Sequence, residues 1–457
     1  MMLKLLFRRA VLALAASLAL LLHASPTRAE GAPEPVPTRF QDAVSAALSL
    51  RADMRLASAD VDASAAKVDT ARAAFWPRLD LSAEVVNRFN YDAFTGTVVE
   101  GTIDGHPLSA TVTNQVPRYQ ALSALTLNWN LYSGGESSAR LENADASLRS
   151  AAAHRGDVAR QVVIDVATAY CGLLKAQKEL DAATIALEAE SLRADTARQS
   201  MALGKVSLLA AQSSALEQQR AHLRQTKARL AMESQWRAYL DAIGLRDAHQ
   251  TIARVALTES EEALQGQLAQ WTQTAQAPAN HAAVEAWAAA QAQVRAEAGA
   301  LRPKLDFVAD YSYVGRDDRS VGSAVSNLSR RLFYVGIRLN WTLFDAKLAQ
   351  SRVRVAAAEE AKAAIRVETH LRERDAHQAE QTLRVAELED EQMMLQSQLE
   401  LARLETEVAK TKLELQQLSP SQYRAQVLAG EETKILRETR QIDLALAKFV
   451  LAMQSSR

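Results

Sequence analysis

One cysteine in 457 residues leaves no internal disulfide, no thiolate zinc cluster and no lipidated cysteine at a signal boundary. That residue, Cys171, sits in an Ala/Leu-rich helical stretch and reads as a small buried apolar side chain rather than a reactive thiol. Long apolar runs are also missing. The longest, Ala10–Leu22 with 13 residues, falls short of the ~20 that a membrane-spanning helix needs. With Lys4, Arg8 and Arg9 before it and Thr27-Arg28-Ala29 after it, it reads as a secretory signal, 1–29, followed by a linker, 30–38. The formal charge is −1, and removing four basic residues with the signal gives −5 (−1 − 4), so no surplus of positive charge favours nucleic acid.

The short motifs of common chemistry are absent too: HExxH, GxxxxGK[ST] and GxSxG do not occur. His370, His377 and Glu380 could share a helix face, but on a charged helix they read as solvated surface. Gly96, Gly101 and Gly105 fall in a long loop, where turns account for them better than phosphate binding. The expectation is a non-enzyme without metal or cofactor.

Proline is scarce in an informative way. The ten prolines leave 118–277 and 304–419 free of the strongest helix breaker, which predicts very long elements. What is present is a duplication. Trp129-Asn130-Leu131-Tyr132, followed by Arg140, is echoed by Trp341-Thr342-Leu343-Phe344, followed by Arg352, at an offset of 341 − 129 = 212. Upstream, Trp76-Pro77-Arg78-Leu79-Asp80-Leu81 is echoed by Arg302-Pro303-Lys304-Leu305-Asp306-Phe307, at an offset of 303 − 77 = 226. Matching order at a matching period marks a tandem repeat. The halves run 39–244 and 281–457, with a connecting segment at 245–280.

Each half reads helix, strand, loop, strand, long helix, turn, helix. The opening helix spans about 39–74, and strands follow at about 79–91 and 119–132, then 305–314 and 332–344. Leu125, Leu127 and Trp129 alternate with Asn128 and its neighbours, and Phe307 alternates with Asp306 and Asp310. Ile337, Leu339 and Trp341 alternate with Arg338 and Asn340, and in the first strand Glu84 shares the polar side. Four strands with one apolar and one polar face fit barrel staves, with lipid on the apolar side and a water-filled lumen on the other. Trp129, Tyr132, Trp341 and Phe344 lie where an interfacial aromatic belt would. The long helices, 136–203 and 347–415, carry small residues at seam positions such as Ala144, Ala169 and Ala176. Turns near 204–207 and 416–420 send the chain back.

These residues resemble the TolC family of outer-membrane factors over nearly the whole mature chain. The resemblance rests on Phe75-Trp76-Pro77, the duplicated Trp-x-Leu-aromatic block, and the tip Ala202-Leu203-Gly204-Lys205-Val206-Ser207 followed by Ala211-Gln212. It implies a mainly α fold with a membrane β-barrel: a homotrimer giving four strands per copy to a 12-strand barrel, continued by a long α-helical periplasmic barrel. The implied location is the outer membrane of a Gram-negative bacterium, with outer-membrane lipid around the barrel. The implied partners are a periplasmic adaptor protein and an inner-membrane transporter, in multidrug efflux or type I secretion.

The resemblance assigns adaptor contact to Gly204, Val206 and Ser207 at one tip and to Leu418 and Ser419 at the other. Gln416 stands where the family has glycine and Pro420 is added, which predicts a bent or altered second tip. Family members often narrow the tunnel with acidic residues beyond that tip. Here the nearest positions are Gln422, Tyr423 and Arg424, so a constriction would be polar or basic. Two rival readings remain: a soluble periplasmic coiled-coil adaptor or scaffold, which needs no amphipathic strands, and a secreted adhesion protein presenting the loop 92–118.

Overall fold

A computed structural model describes residues 36–88, 98–103, 106–111, 118–245, 261–274, 281–317, 319–328 and 330–455. The expected signal lies outside the described residues. The elements run α1 (Phe40–Leu50), α2 (Ala52–Ala73), β1 (Arg78–Asn87), β2 (Val98–Ile103), β3 (His106–Thr111), β4 (Tyr119–Tyr132), α3 (Glu136–Ala202) and α4 (Leu208–Ile243). They continue with α5 (Glu261–Thr274), α6 (His281–Gly299), β5 (Lys304–Asp317), α7 (Val321–Ser326), β6 (Arg330–Asn340), α8 (Leu348–Glu414) and α9 (Pro420–Ser455).

The two repeats match in length. α3 and α8 each have 67 residues, rods of about 100 Å at 1.5 Å per residue, and α4 and α9 each have 36. Helices this long extend well beyond any one core, so neighbours must approach closely along them. On α6 the buried residues Ala289, Ala292, Ala296 and Gly299 form a stripe of small side chains that packs on α3. A Cβ on Gly299 would lie 2.7 Å from the Glu136 backbone nitrogen.

The aromatic core gathers around the middle of α3. Phe40 of α1, Tyr170 of α3, Tyr239 of α4 and Phe449 of α9 meet in one cluster, with edge-to-face ring pairs at 5.8–6.5 Å. The Tyr170 hydroxyl donates to the Thr38 carbonyl at 3.1 Å and that of Tyr239 to the Pro37 carbonyl at 2.5 Å, so each buried phenol is satisfied. Leu264 and Leu268 of α5 extend the cluster, which places the connecting segment at this level. Cys171 is buried there too, and burial pushes its thiol up to about 12.

Three expectations need correction. The opening helix is two helices, broken at Arg51, whose backbone is extended (φ −62°, ψ 137°). The Arg51 guanidinium bridges Asp53 at 2.5 Å and Asp165 of α3 at 2.9 Å, and Gly244 (φ +93°) packs against its backbone. Second, β6 ends at Asn340 rather than continuing to 344, because its partner β5 begins at Lys304, opposite Asn340, just after Pro303. Third, the long loop contains a hairpin in which β2 pairs with β3. Gly101 and Pro107 stand inside it, while Gly96 and Gly105 lie outside the described residues.

Candidate functional site: a two-faced sheet and paired helical tips

β1, β4, β5 and β6 form one antiparallel sheet in that order. Register decides its faces. Leu79 pairs with Leu127, Leu127 with Ala309, and Ala309 with Val335; Leu81, Leu125, Tyr311 and Phe333 make the next rung on the same side. Trp129, Phe307 and Ile337 form another such rung, and Leu339 stands opposite Leu305. All seven residues expected to face lipid thus lie on or, for Trp341, just beyond one face. Leu81 is 71% exposed and Ile337 68%, so no part of the described chain covers the apolar surface there. From Trp341 to Arg331, ten residues at about 3.3 Å tilted by about 40° cover about 25 Å, the height of a barrel's apolar band.

The opposite face carries Asp80, Thr126, Asp310 and Tyr334 in one rung, and Asn130, Asp306 and Arg338 in another. Glu84, Asn128 and Asn340 share this side, which gathers every residue expected at the lumen. Thr126 donates its hydroxyl to Asp310 at 2.8 Å and Asn130 its amide to Asp306 at 2.7 Å, which joins the two repeats through neutral donors and carboxylates. Val308 and Ser312 on this face are buried, as fits a sheet curling towards its polar side.

Where strands meet helices, the duplication shows in single bonds. Trp129 Nε1 donates to the Phe75 carbonyl at 3.0 Å, and Trp341 Nε1 to the Leu301 carbonyl at 3.3 Å, the same atoms one repeat apart. These bonds tie the strand ends to the preceding helix ends. Sequence position alone assigns the tryptophans to an interface and not to this link, although the shared offsets of 212 and 226 carry its signal. Glu136, buried at the start of α3, forms ion pairs with Lys304 at 2.5 Å and with Arg140, a carboxylate placed where the helix dipole favours it.

At the far end, the tips are equivalent. Gly204 (φ +70°) donates its N–H to the Met201 carbonyl at 2.9 Å and Lys205 to the Ser200 carbonyl at 2.9 Å. Gln416 (φ +56°) and Gln417 repeat both bonds, to the Leu413 and Lys412 carbonyls at 3.0 and 2.8 Å, a Schellman closure in each case. The second tip is therefore not bent away from the first. Gln416 takes the left-handed conformation in place of glycine, and Pro420 is the first residue of α9, where a missing N–H costs nothing. Val206 and Leu418 are half-buried at matching places, while Gly204 and Ser207 are exposed.

Ser207 caps α4, accepting from the Ala210 N–H at 3.3 Å. Ser419 and Gln422 form a reciprocal capping box, with bonds of 3.2 and 3.0 Å. So Gln422 holds the tip, and the exposed Arg424 lies 3.3 Å from Glu188 of α3. Tyr423 is half-buried beside them. Among the described residues no group of three or more His, Cys, Asp or Glu side chains could hold a metal ion, and His370 and His377 face Glu373 and Glu380 on exposed helix surface.

Exposed apolar stripes remain on the rods. Leu209, Leu216, Leu223 and Leu230 on α4, and Met394, Leu401 and Val408 on α8 with Leu415 just after it, recur every seventh residue and are exposed. A heptad stripe is the seam of a helix that packs on another.

A four-stranded sheet with two unlike faces, continued by helical hairpins about 100 Å long, defines the fold of the TolC-type outer-membrane channels. Similar solved structures are the outer-membrane channel OprN (18% identity, TM-score 0.68, covering 92% of this chain and 90% of that one) and the outer membrane protein VceC of Vibrio cholerae (14%, 0.69, 92% and 97%). Residues 43–245, the first repeat, match the family model described as outer membrane efflux protein. It is also similar to Protein CyaE of Bordetella pertussis, 29% identical over 325 residues that cover 70% of this chain. The match spans 63% of that curated relative's length, less than two thirds of it.

Proposed function

We propose that this chain is the subunit of an outer-membrane channel that passively conducts substrates from a periplasmic adaptor and inner-membrane pump to the exterior, in multidrug efflux or type I secretion. The observation that carries this reading is the sheet: one face apolar and uncovered, the other lined with Asp, Glu, Asn, Thr and Arg, with both edges open. Four strands cannot close on themselves, and an open edge in lipid leaves backbone groups unpaired at several kcal/mol each. Three copies give the 12-strand barrel that the resemblance implies, and the heptad stripes on α4 and α8 supply helical contacts for the same ring. The family supports an outer-membrane location, with the helical body in the periplasm.

No chemical step is needed: the tunnel opens when a partner spreads the tips around Gly204, Val206, Ser207, Leu418 and Ser419. A soluble adaptor or scaffold would share the rods but gain nothing from the apolar face, which would promote aggregation in water. The test is planar-bilayer recording of the purified protein, with substrate sensitivity of a deletion strain and crosslinking from a residue near Gly204. Discrete conductance steps and an adaptor adduct are expected. A water-soluble monomer with Leu127, Phe307 and Ile337 shielded from labelling would refute the reading. In the same recordings Arg424→Ala reports on the constriction: unchanged conductance and ion selectivity would remove Arg424 from the narrow point.

A further inference from the structure

Two edges and one unused pair of charges remain once the sheet is assembled. Among the described strands, β1 and β6 each have a neighbour on one side only. Glu84 on β1 and Arg338 on β6 share the polar face, both exposed, and have no ion pair among the described residues.

The duplication dictates how these edges meet. Shifting Leu79 of the first hairpin by the offset 226 and its partner Leu127 by the offset 212 gives Leu305–Leu339, which is the pairing found in the second hairpin. The offsets therefore carry register as well as sequence. The joint between repeats, β4 with β5, has its counterpart where β6 of one copy meets β1 of another. Applied to that joint, the offsets turn Thr126–Asp310 into Arg338–Glu84, and Asn130–Asp306 into Thr342–Asp80. Each carboxylate is matched by a carboxylate and each donor by a donor.

Resting on the channel reading above, we propose that β6 pairs antiparallel with β1 of the partner subunit in the register that sets Arg338 against Glu84 of the partner subunit, as an ion pair on the water-facing side of the wall. Charge favours this register over its nearest slips. A slip of one residue turns every side chain to the wrong face and sets Glu84 against Ile337 or Leu339. A slip of two keeps the faces but sets Glu84 against Gly336 or Asn340, and Arg338 against Val86 or Ser82. Only the register given by the repeat unites the two charges.

The test uses the full chain in outer membranes, in a Cys171→Ala background. Directly opposed residues of an antiparallel pair lie about 4.5–5.5 Å apart at Cα, within disulfide reach. Glu84→Cys with Arg338→Cys is expected to give covalent dimers and trimers on non-reducing gels after mild oxidation. Crosslinking through Glu84→Cys with Gly336→Cys or Asn340→Cys instead, or no crosslinking in an intact oligomer, would overturn the register and leave the channel reading standing. A monomer in the membrane would sink both. Arg338→Glu is expected to speed oligomer dissociation roughly tenfold through like-charge contact, and adding Glu84→Arg to restore it. A double variant no slower than the single one would show that the charges do not touch.

Discussion

Three backbone positions in the second repeat carry a conformation that the first repeat assigns to glycine, and exchanging residues between the repeats tests the equivalence directly. Gly134, Gly135 and Gly204 have φ of +68°, +90° and +70°; their counterparts at the offset of 212, Ala346, Lys347 and Gln416, have +54°, +71° and +56°. A non-glycine residue in this region costs roughly 1–2 kcal/mol, and glycine returns about 0.5–1 kcal/mol through the greater freedom of its unfolded chain. Ala346→Gly should therefore stabilise by up to about 1 kcal/mol. The reverse exchange is far worse, because a Cβ at Gly134 would lie 2.6 Å from the Arg302 Cβ and 2.7 Å from the Gly299 carbonyl oxygen. With strain and backbone clash together, Gly134→Ala should cost more than about 3 kcal/mol. The assay is loss of helical circular dichroism on heating the purified, detergent-solubilised protein at a fixed scan rate and protein concentration. Opposite shifts are expected for the two variants. A Gly134→Ala protein as stable as the parent, or an Ala346→Gly protein clearly weaker, would refute the reasoning.

Other perturbations probe other joints. Phe40→Ala empties a fully buried site between Tyr170 and Phe449 and should cost about 3–5 kcal/mol in the same melt. Trp129→Phe and Trp341→Phe keep the ring and lose the bonds to the Phe75 and Leu301 carbonyls; each should cost about 1 kcal/mol, with a matching loss in both repeats as the check. Ser419→Ala removes one half of the capping box and should cost about 1 kcal/mol, read as faster proteolysis at the second tip than at the first. The Arg51 guanidinium holds the Asp53 carboxyl below its ordinary range, so this contact stabilises above pH ~4 and is lost as pH falls through the lowered value. Because Asp53 is half exposed, Asp53→Asn should flatten that acid limb by less than about 1 kcal/mol.

Much of this architecture is legible in the sequence because it follows from period. Alternation in the four strands fixes which side chains share a face, and the offsets of 212 and 226 fix which strands and tips are equivalent. What escapes is what depends on distant partners. The break at Arg51 needs Asp165 of α3 and Gly244 just after α4, both far along the chain. The end of β6 at Asn340 is set by where β5 starts, not by the apolar residues that follow. Gln416 reads as a departure from glycine, yet the Schellman bonds hold the backbone in the same turn. The β2–β3 hairpin does carry a signal, Asp104-Gly105 between two short β-prone runs. The proposed constriction residues, Gln422, Tyr423 and Arg424, are the least legible, since a narrow point in the proposed channel would belong to several copies at once.

The small-residue packing of α6 on α3 fits the proposed channel wall, one helix thick. Such a wall has little interior beyond the aromatic cluster around Tyr170, and apolar side chains that a globule would bury lie on surfaces like the leucine stripe of α4. In the proposed ring, durability would belong to the assembly rather than to the single chain that enters it. In the proposed assembly a lone copy would stay adhesive until it met others, and its survival would rise with the local supply of identical chains.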